Sequence, residues 1–364
     1  MATVTDILKK LQQLAPLTLA EEYDNCGLLV GEGQTEVRGV LCALELTSEA
    51  LEKALEWDCN LVLCHHPLIF RPLKRLSPRS GAGGLLYALV RHNVAVIAMH
   101  TNWDRIAGGT SFYMCRRMGL KNLRVLAPEP RLSRLSVVVP WEKSEKVKQA
   151  IGNITFSESL YQGERILKEL VDSELFSQKG ANPAELETQK VENEKRVRLS
   201  FLLRKDDGPA IIEAIPKIIP GEECWLEWNS LDNMDPTVGY GCVGEFPEPL
   251  NWPQLALRLK EIFGCQIIRH SPPPGRPLRI VAFCGGSGAF LYTQACAAGA
   301  DIFITGDVKY HDLAEALPGT MLVDIGHYES EHLLAEQFAE VLREQWGEAF
   351  PVYFFKGKNP ILYT

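Results

Sequence analysis

CNLVLCHHPLIF, residues 59–70, holds the reading that decides the fold. LVLC (61–64) is an apolar run too short for a helix and reads as a buried strand. Pro67 marks its end, because proline has no N–H to give a ladder. The same signal returns on both sides. RGVLCALEL (38–46) and VAVIAMH (94–100) are also strand-like. Helical stretches separate them: Ser48–Trp57, with Ser48 as N-cap, and Gly83–His92. Buried strands alternating with helices indicate βαβ units and a parallel sheet. Ahead of them Ile7, Leu8, Leu11 and Leu14 fall at helical spacing, predicting an amphipathic helix over 3–14 capped by Thr5.

The last third repeats the rhythm. LRIVAFC (278–284) is a strand, followed by GGSG (285–288) and a helix near 288–298. DIFITGD (301–307) precedes a helix near 311–317, and TMLVDIGH (320–327) precedes a long helix over Glu329–Trp346. The middle is different in kind. LSVVVPW (135–141), a helix near 142–151, the alternating strand RVRLSFLLR (196–204) and the helical PAIIEAIPKII (209–219) suit an antiparallel α+β module. Residues 177–195 lack apolar periodicity and read as a loop or hairpin tip. The predicted class is α/β. A discontinuous α/β sandwich domain with a parallel or mixed sheet would span 1–130 and 248–364, with an inserted α+β domain over 131–247.

Composition narrows the function. The chain has 364 residues, 46% apolar and 23% charged, as an ordinary globular protein has. Its formal charge of −8 argues against a nucleic-acid partner, which needs a basic patch. No run approaches the ~20 apolar residues of a membrane helix, and the N-terminus does not read as an export signal. A cytoplasmic protein with ten reduced, mostly buried cysteines is therefore expected.

With only eight histidines, their placement is informative. His65 and His66 are adjacent where a strand ends. His100 ends another strand, with Asp104 four residues on. His327 ends a third, with Glu331 four residues on, a spacing that puts imidazole and carboxylate on one helical side. All lie at carboxyl ends of predicted parallel strands, where open α/β sheets form their ligand crevice. A single strand-end histidine is usually structural, but here several converge. The mixed nitrogen and oxygen set suits zinc, iron, manganese or cobalt. Five or six ligands exceed a four-coordinate zinc site, and a carboxylate can bridge two ions, so two divalent transition-metal ions are expected. His92 and His332 read as helix-surface residues and His270 as part of a Pro-rich loop.

At these residues the chain resembles the NGG-interacting-factor-three-like family, the GTP cyclohydrolase 1 type 2 homologues. The matching segments are YDNCGLLVG (23–31), HHPLIF (65–70), HTNWDRIAGG (100–109), TGDVKYHD (305–312) and GHYESE (326–331). The resemblance covers about 1–130 and 248–364. It implies a two-metal site with His65, His66, Asp104, His327 and Glu331 as ligands, His100 being a less certain contact. It places His311 and Asp307 toward the same crevice. It also implies a ring-shaped homohexamer. In some members the middle segment resembles a CutA-like or PII-like module, as LSVVVPWEKSEKVKQAI and GYGCVGEF do here.

Smaller signals surround the motifs. Gly285 and Gly286 open a strand-to-helix turn whose N–H groups can hold a phosphate or simply turn the chain. Asp24, Asn25 and Asp324 can orient an imidazole or cap a turn. Trp103 can line a base-stacking wall or pack. Lys309 and Tyr310 can reach a phosphate or stay in solvent. The leading expectation is a metal-dependent hydrolase of a nucleotide or related small molecule, with metal-bound hydroxide as nucleophile. If the family name describes the reaction, the attack is at C8 of guanine, with His100 and His311 moving protons. A two-metal phosphoesterase is the second reading. The third is a metal-binding regulatory or chaperone protein with the insertion as sensor.

Overall fold

The computed structural model describes residues 2–78, 81–154, 166–171, 196–219 and 225–364. They divide into two compact units. One joins Met1–Pro128 to Pro236–Thr364, and the other is Glu129–Asp235.

The first unit contains two mixed sheets. In the five-stranded sheet the order is Gly27–Val30, Ala95–Ala98, Leu61–Cys64, Val40–Ala43, Val352–Phe355. All its pairings are parallel except that of Gly27–Val30 with Ala95–Ala98. The six-stranded sheet runs Arg269–His270, Met321–Asp324, Ile302–Thr305, Leu278–Phe283, Asp235–Leu250, Lys121–Glu129. Leu278–Phe283, Ile302–Thr305 and Met321–Asp324 are parallel neighbours.

The short apolar runs form strands because both their faces are covered. Side chains alternate along a strand, so each run feeds two cores. Val40, Cys42, Leu61, Leu63 and Ile97 face a central core that also receives Val281, Phe283, Ile302, Ile304 and Val323 from the other sheet. Leu41, Val62 and Val96 face the helices Ser48–Glu56 and Gly81–His92. Ala282, Phe303 and Leu322 face the opposite outer layer. Continuous hydrophobicity with a β period is the expected signature of a doubly covered sheet.

Local ends differ from the sequence reading. The first helix is Val4–Leu14, capped by Thr3 rather than Thr5 through a reciprocal box with Asp6. Thr47, not Ser48, caps Ser48–Glu56, its Oγ1 accepting from Ala50 N at 3.1 Å. The helix expected over Glu329–Trp346 starts earlier, at His327, and breaks between Glu331 and Leu334. The nine described cysteines are all free; Cys224 lies outside the described residues. No helix among the described residues is long and apolar enough to cross a membrane.

In the second unit the chain order is strand Leu132–Pro140, helix Ser144–Ile154, strand Ile166–Val171, strand Arg196–Arg204, helix Gly208–Ile218, strand Trp225–Ser230. The sheet order is Ile166–Val171, Arg196–Arg204, Leu132–Pro140, Trp225–Ser230, and every pairing is antiparallel. One face packs on the helices, so Val197, Leu199 and Phe201 are buried in alternation. The loop expected at 177–195 lies outside the described residues.

Candidate metal centre

The site forms where the carboxyl ends of the two mixed sheets converge. His65 and His66 follow Leu61–Cys64, and His100 follows Ala95–Ala98. Thr101–Asp104 is one helical turn that carries Asp104 back to the same place. From the six-stranded sheet, His327 and Glu331 occupy the two ends of the short helix after Met321–Asp324.

His65, His100 and His327 are each held from behind through Nδ1. His65 Nδ1 donates to Met99 O at 2.8 Å, leaving Nε2 as the lone-pair nitrogen. That Nε2 is buried without a hydrogen-bond partner, 3.6 Å from Asp104 Oδ1 and 3.9 Å from Glu331 Oε1. His327 Nδ1 lies 2.6 Å from Asp307 Oδ2, and its Nε2 is 3.0 Å from Glu331 Oε2. His66 Nε2 reaches that same oxygen at 3.1 Å. His100 Nδ1 meets Asp24 Oδ1 at 2.9 Å, and Asp24 also accepts from the N–H and hydroxyl of Thr101. Thr110 donates its hydroxyl to Asp104.

Burial and charge set the protonation. Burial drives the His65 imidazole down to about 3, so it stays neutral. The Glu331 hydrogen bond raises His327 to about 10. Burial would raise Glu331, but His327 and His66 outweigh it and hold the carboxyl well below the usual range. Burial, with the Glu331 charge beside it, lifts Asp104 to about 7. For Asp24, the bonds from His100 and Thr101 overcome burial and keep it ionised.

Two groups of side chains could hold a metal ion: His65, His66 and His100; and His66, His327 and Glu331. Within each, the donor atoms lie within 4.8 Å of one another. The orphaned Nε2 of His65 fits coordination, since a buried imidazole lone pair otherwise lacks a partner. Imidazoles with carboxylates are a donor set for divalent transition metals.

Other expected residues stand further out. Asp24 and Asp307 orient His100 and His327 from behind. Asn25 donates to Ile69 O and pins the loop after the histidine pair instead of touching an imidazole. Asp324 takes Arg269, Val308 N and Gly326 N, so it builds the turn before His327. Gly285 and Gly286, read as a phosphate cradle or a simple turn, line the site cavity. Their N–H groups are donated to Ser111 and Ser330, and that of Gly288 to Thr305. The glycines serve close approach, because a Cβ at Gly286 would overlap Glu331 Oε1. His311 is exposed on Tyr310–Ala314 beside the Tyr310 ring, belongs to neither ligand group and does not line the site cavity. Trp103 is buried, its Nε1 donating to Gln337, which settles it as packing. His332 is also buried, stacked on Tyr328, contrary to the surface role expected.

The sequence reading missed several contributors. Thr101 and Thr110 orient Asp24 and Asp104, but a threonine near a motif carries no distinctive signal. Met99 acts through its carbonyl, which any residue would supply. Glu21, Tyr23, Tyr240 and Phe290 line the cavity against the cluster.

A family model described as Duf34/NIF3 (NGG1p interacting factor 3) matches residues 2–360. The chain belongs to the DUF34/NIF3 family. A Staphylococcus aureus (strain Mu50) protein named GTP cyclohydrolase 1 type 2 homolog is 29% identical over 343 residues, covering 93% of this chain and 92% of that protein. A Halalkalibacterium halodurans protein of the same name is 29% identical over 332 residues, covering 88% and 87%. The crystal structure of a Bacillus cereus protein related to NIF3 superposes with a TM-score of 0.80 at 26% identity, covering 100% of this chain and 99% of that one. Reduced HcgD from Methanocaldococcus jannaschii, at 17% identity and TM-score 0.56 over 98% of each chain, shares the DUF34/NIF3 fold.

Proposed function

We propose that this protein is a metal-dependent hydrolase of a nucleotide or related small molecule, with two divalent transition-metal ions at the cluster. The observation that carries the reading is the sharing of His66 between two ligand groups, with the Glu331 carboxylate facing histidines from both sheets. His65, His66, Asp104, His327 and Glu331 would hold the ions. Such ions supply Lewis acidity and ease the ionisation of water near neutral pH. His100, anchored through Nδ1 on Asp24, is left with Nε2 to hold or pass a proton. His65 stays neutral, and Asp307 keeps the His327 ring aimed inward.

The name of the relatives supports a nucleotide, and a guanine ring opening with formate release is the first reaction to test. A homohexameric ring in the cytoplasm belongs to the same proposal. The Glu129–Asp235 unit is read as a CutA/PII-like, ferredoxin-like insertion, supported by its strand order.

The test begins with elemental analysis of untagged, chelator-free protein and of His65→Ala and Glu331→Ala. About two ions per chain, lost in both variants, are expected. Metal-loaded protein is then incubated with GTP and with generic phosphoesters. Formate supports ring opening; phosphate alone moves the reading to a phosphoesterase. Neither product, with metal in place, transfers it to metal storage or regulation.

A further inference from the structure

The cluster opens on a cavity of about 380 Å³, within the size range of small-molecule sites. One side is the cluster itself. The other carries a carboxylate and three aromatic rings that the proposed chemistry does not use: Glu21, Tyr23, Tyr240 and Phe290. Phe290 is 62% exposed and Tyr23 is 68% exposed, so two large rings stand in water at the mouth of a polar site. Their flat apolar faces are the kind a planar ring covers.

Glu21 is fixed. Its Oε1 accepts from Tyr240 Oη at 2.6 Å and from Arg105 Nη1 at 3.3 Å. Arg105 is buried and lies over the Tyr240 ring, 5.2 Å from its centroid. The Tyr240 ring in turn meets Phe290 edge-on at 5.6 Å. Glu21 N–H donates to the Thr101 hydroxyl, which ties it to the Asp24–His100 pair. Oε2 accepts no hydrogen bond among the described residues. The carboxylate is therefore held by one oxygen and offers the other to the cavity. A carboxylate oxygen of this kind accepts an N–H donor in a charge-assisted hydrogen bond.

We propose that this cavity binds a planar nitrogen heterocycle, with Glu21 Oε2 accepting from N–H donors along the ring edge and Phe290 and Tyr23 covering its faces. The inference rests on the hydrolase reading only for the orientation of the ring toward the cluster. One free carboxylate oxygen has two lone pairs and can accept from two adjacent donors, which selects a lactam with a neighbouring amino group over a ring that presents an acceptor there.

The experiment is calorimetric titration of the metal-loaded full chain with guanosine, inosine and adenosine, with metal content measured in every sample. Guanosine offers N1–H and the amino group, inosine N1–H alone, and adenosine an acceptor at N1. Guanosine should bind more tightly than inosine, and adenosine weakest. Glu21→Gln should weaken guanosine at least tenfold and narrow its lead over adenosine, as the carboxylate acceptor of a charge-assisted pair is lost. Phe290→Ala should weaken guanosine and inosine by a similar factor. If Glu21→Gln misfolds, Tyr240→Phe, which leaves Oε1 held by Arg105 alone and loosens the carboxylate, carries the same test with a smaller loss. Equal binding of adenosine and guanosine, or guanosine binding indifferent to Glu21 and Phe290, overturns the proposal, as does no nucleoside binding. Glu21-dependent binding without turnover removes the hydrolase reading and leaves this one standing.

Discussion

His100 Nδ1 lies 2.9 Å from Asp24 Oδ1, and that contact ties the loop before Gly27–Val30 to the end of its neighbour strand Ala95–Ala98. Asp24 is an acceptor for five groups: the His100 ring, the Thr101 N–H and hydroxyl, the Asn25 N–H and the Cys26 thiol. Its geometry is thus determined before any ion arrives, and it determines that of His100 in turn. Asp24→Asn keeps the shape but puts a donor where an anion stood. Metal affinity should fall about 10–100-fold, as for other partners behind a ligand. A competitive chelator titration reads this directly; unchanged affinity in a folded variant refutes the orienting role.

Metal uptake should release protons. Glu331 raises His327 to about 10, so that imidazole is charged at pH 8 in the metal-free chain and must become neutral to coordinate. Asp104, lifted to about 7, adds a proton to the release below neutrality. Apparent affinity should therefore weaken as pH falls. Calorimetry in two buffers of different ionisation enthalpy counts the protons, and a release of none at pH 8 contradicts the assignment of His327. In the metal-free chain the raised pKa of His327 favours folding fully below about pH 6.5. That contribution fades as pH rises through about 10.

Gly286 has φ +60° and no room for a side chain. Gly286→Ala would strain the turn and push Glu331 from the position where His66 and His327 meet it. The expected outcome is loss of most bound metal with the fold retained, seen by elemental analysis beside circular dichroism. Full occupancy in this variant would show that Glu331 moves without consequence.

His311→Ala should leave metal content and any turnover within about twofold of the parent, since surface substitutions away from such features have small effects. A large loss of turnover with metal intact would restore His311 to the chemistry.

Trp103 stacks edge-on against Phe338 at 5.1 Å and donates to Gln337 Oε1 at 3.1 Å. Trp103→Phe leaves that buried oxygen unpaired, which costs about 1–3 kcal/mol. Denaturant unfolding should show the loss while metal content stays near that of the parent. A stability change under about 0.5 kcal/mol would mean that Gln337 finds another donor.

The amino-acid order alone determined the βαβ class, because a strand covered on both faces must be apolar throughout and LVLC, AVIA and IFIT have no other use. It also determined the candidate ligand types, since histidines at strand ends and a His–Glu pair one helical turn apart are local patterns. Local pattern also misled where competing caps stood side by side, as at Thr3 against Thr5 and Thr47 against Ser48. Tertiary structure alone decided which of these residues meet. His66 and Glu331 are 265 positions apart, and only the convergence of two sheets brings them to 3.1 Å. The same convergence leaves His311 outside, gives the N–H groups of Gly285 and Gly286 to serine hydroxyls, and sets Glu21 beside Tyr240. A motif carries spacing along the chain, whereas a site is made by distances across it, and those are set by packing.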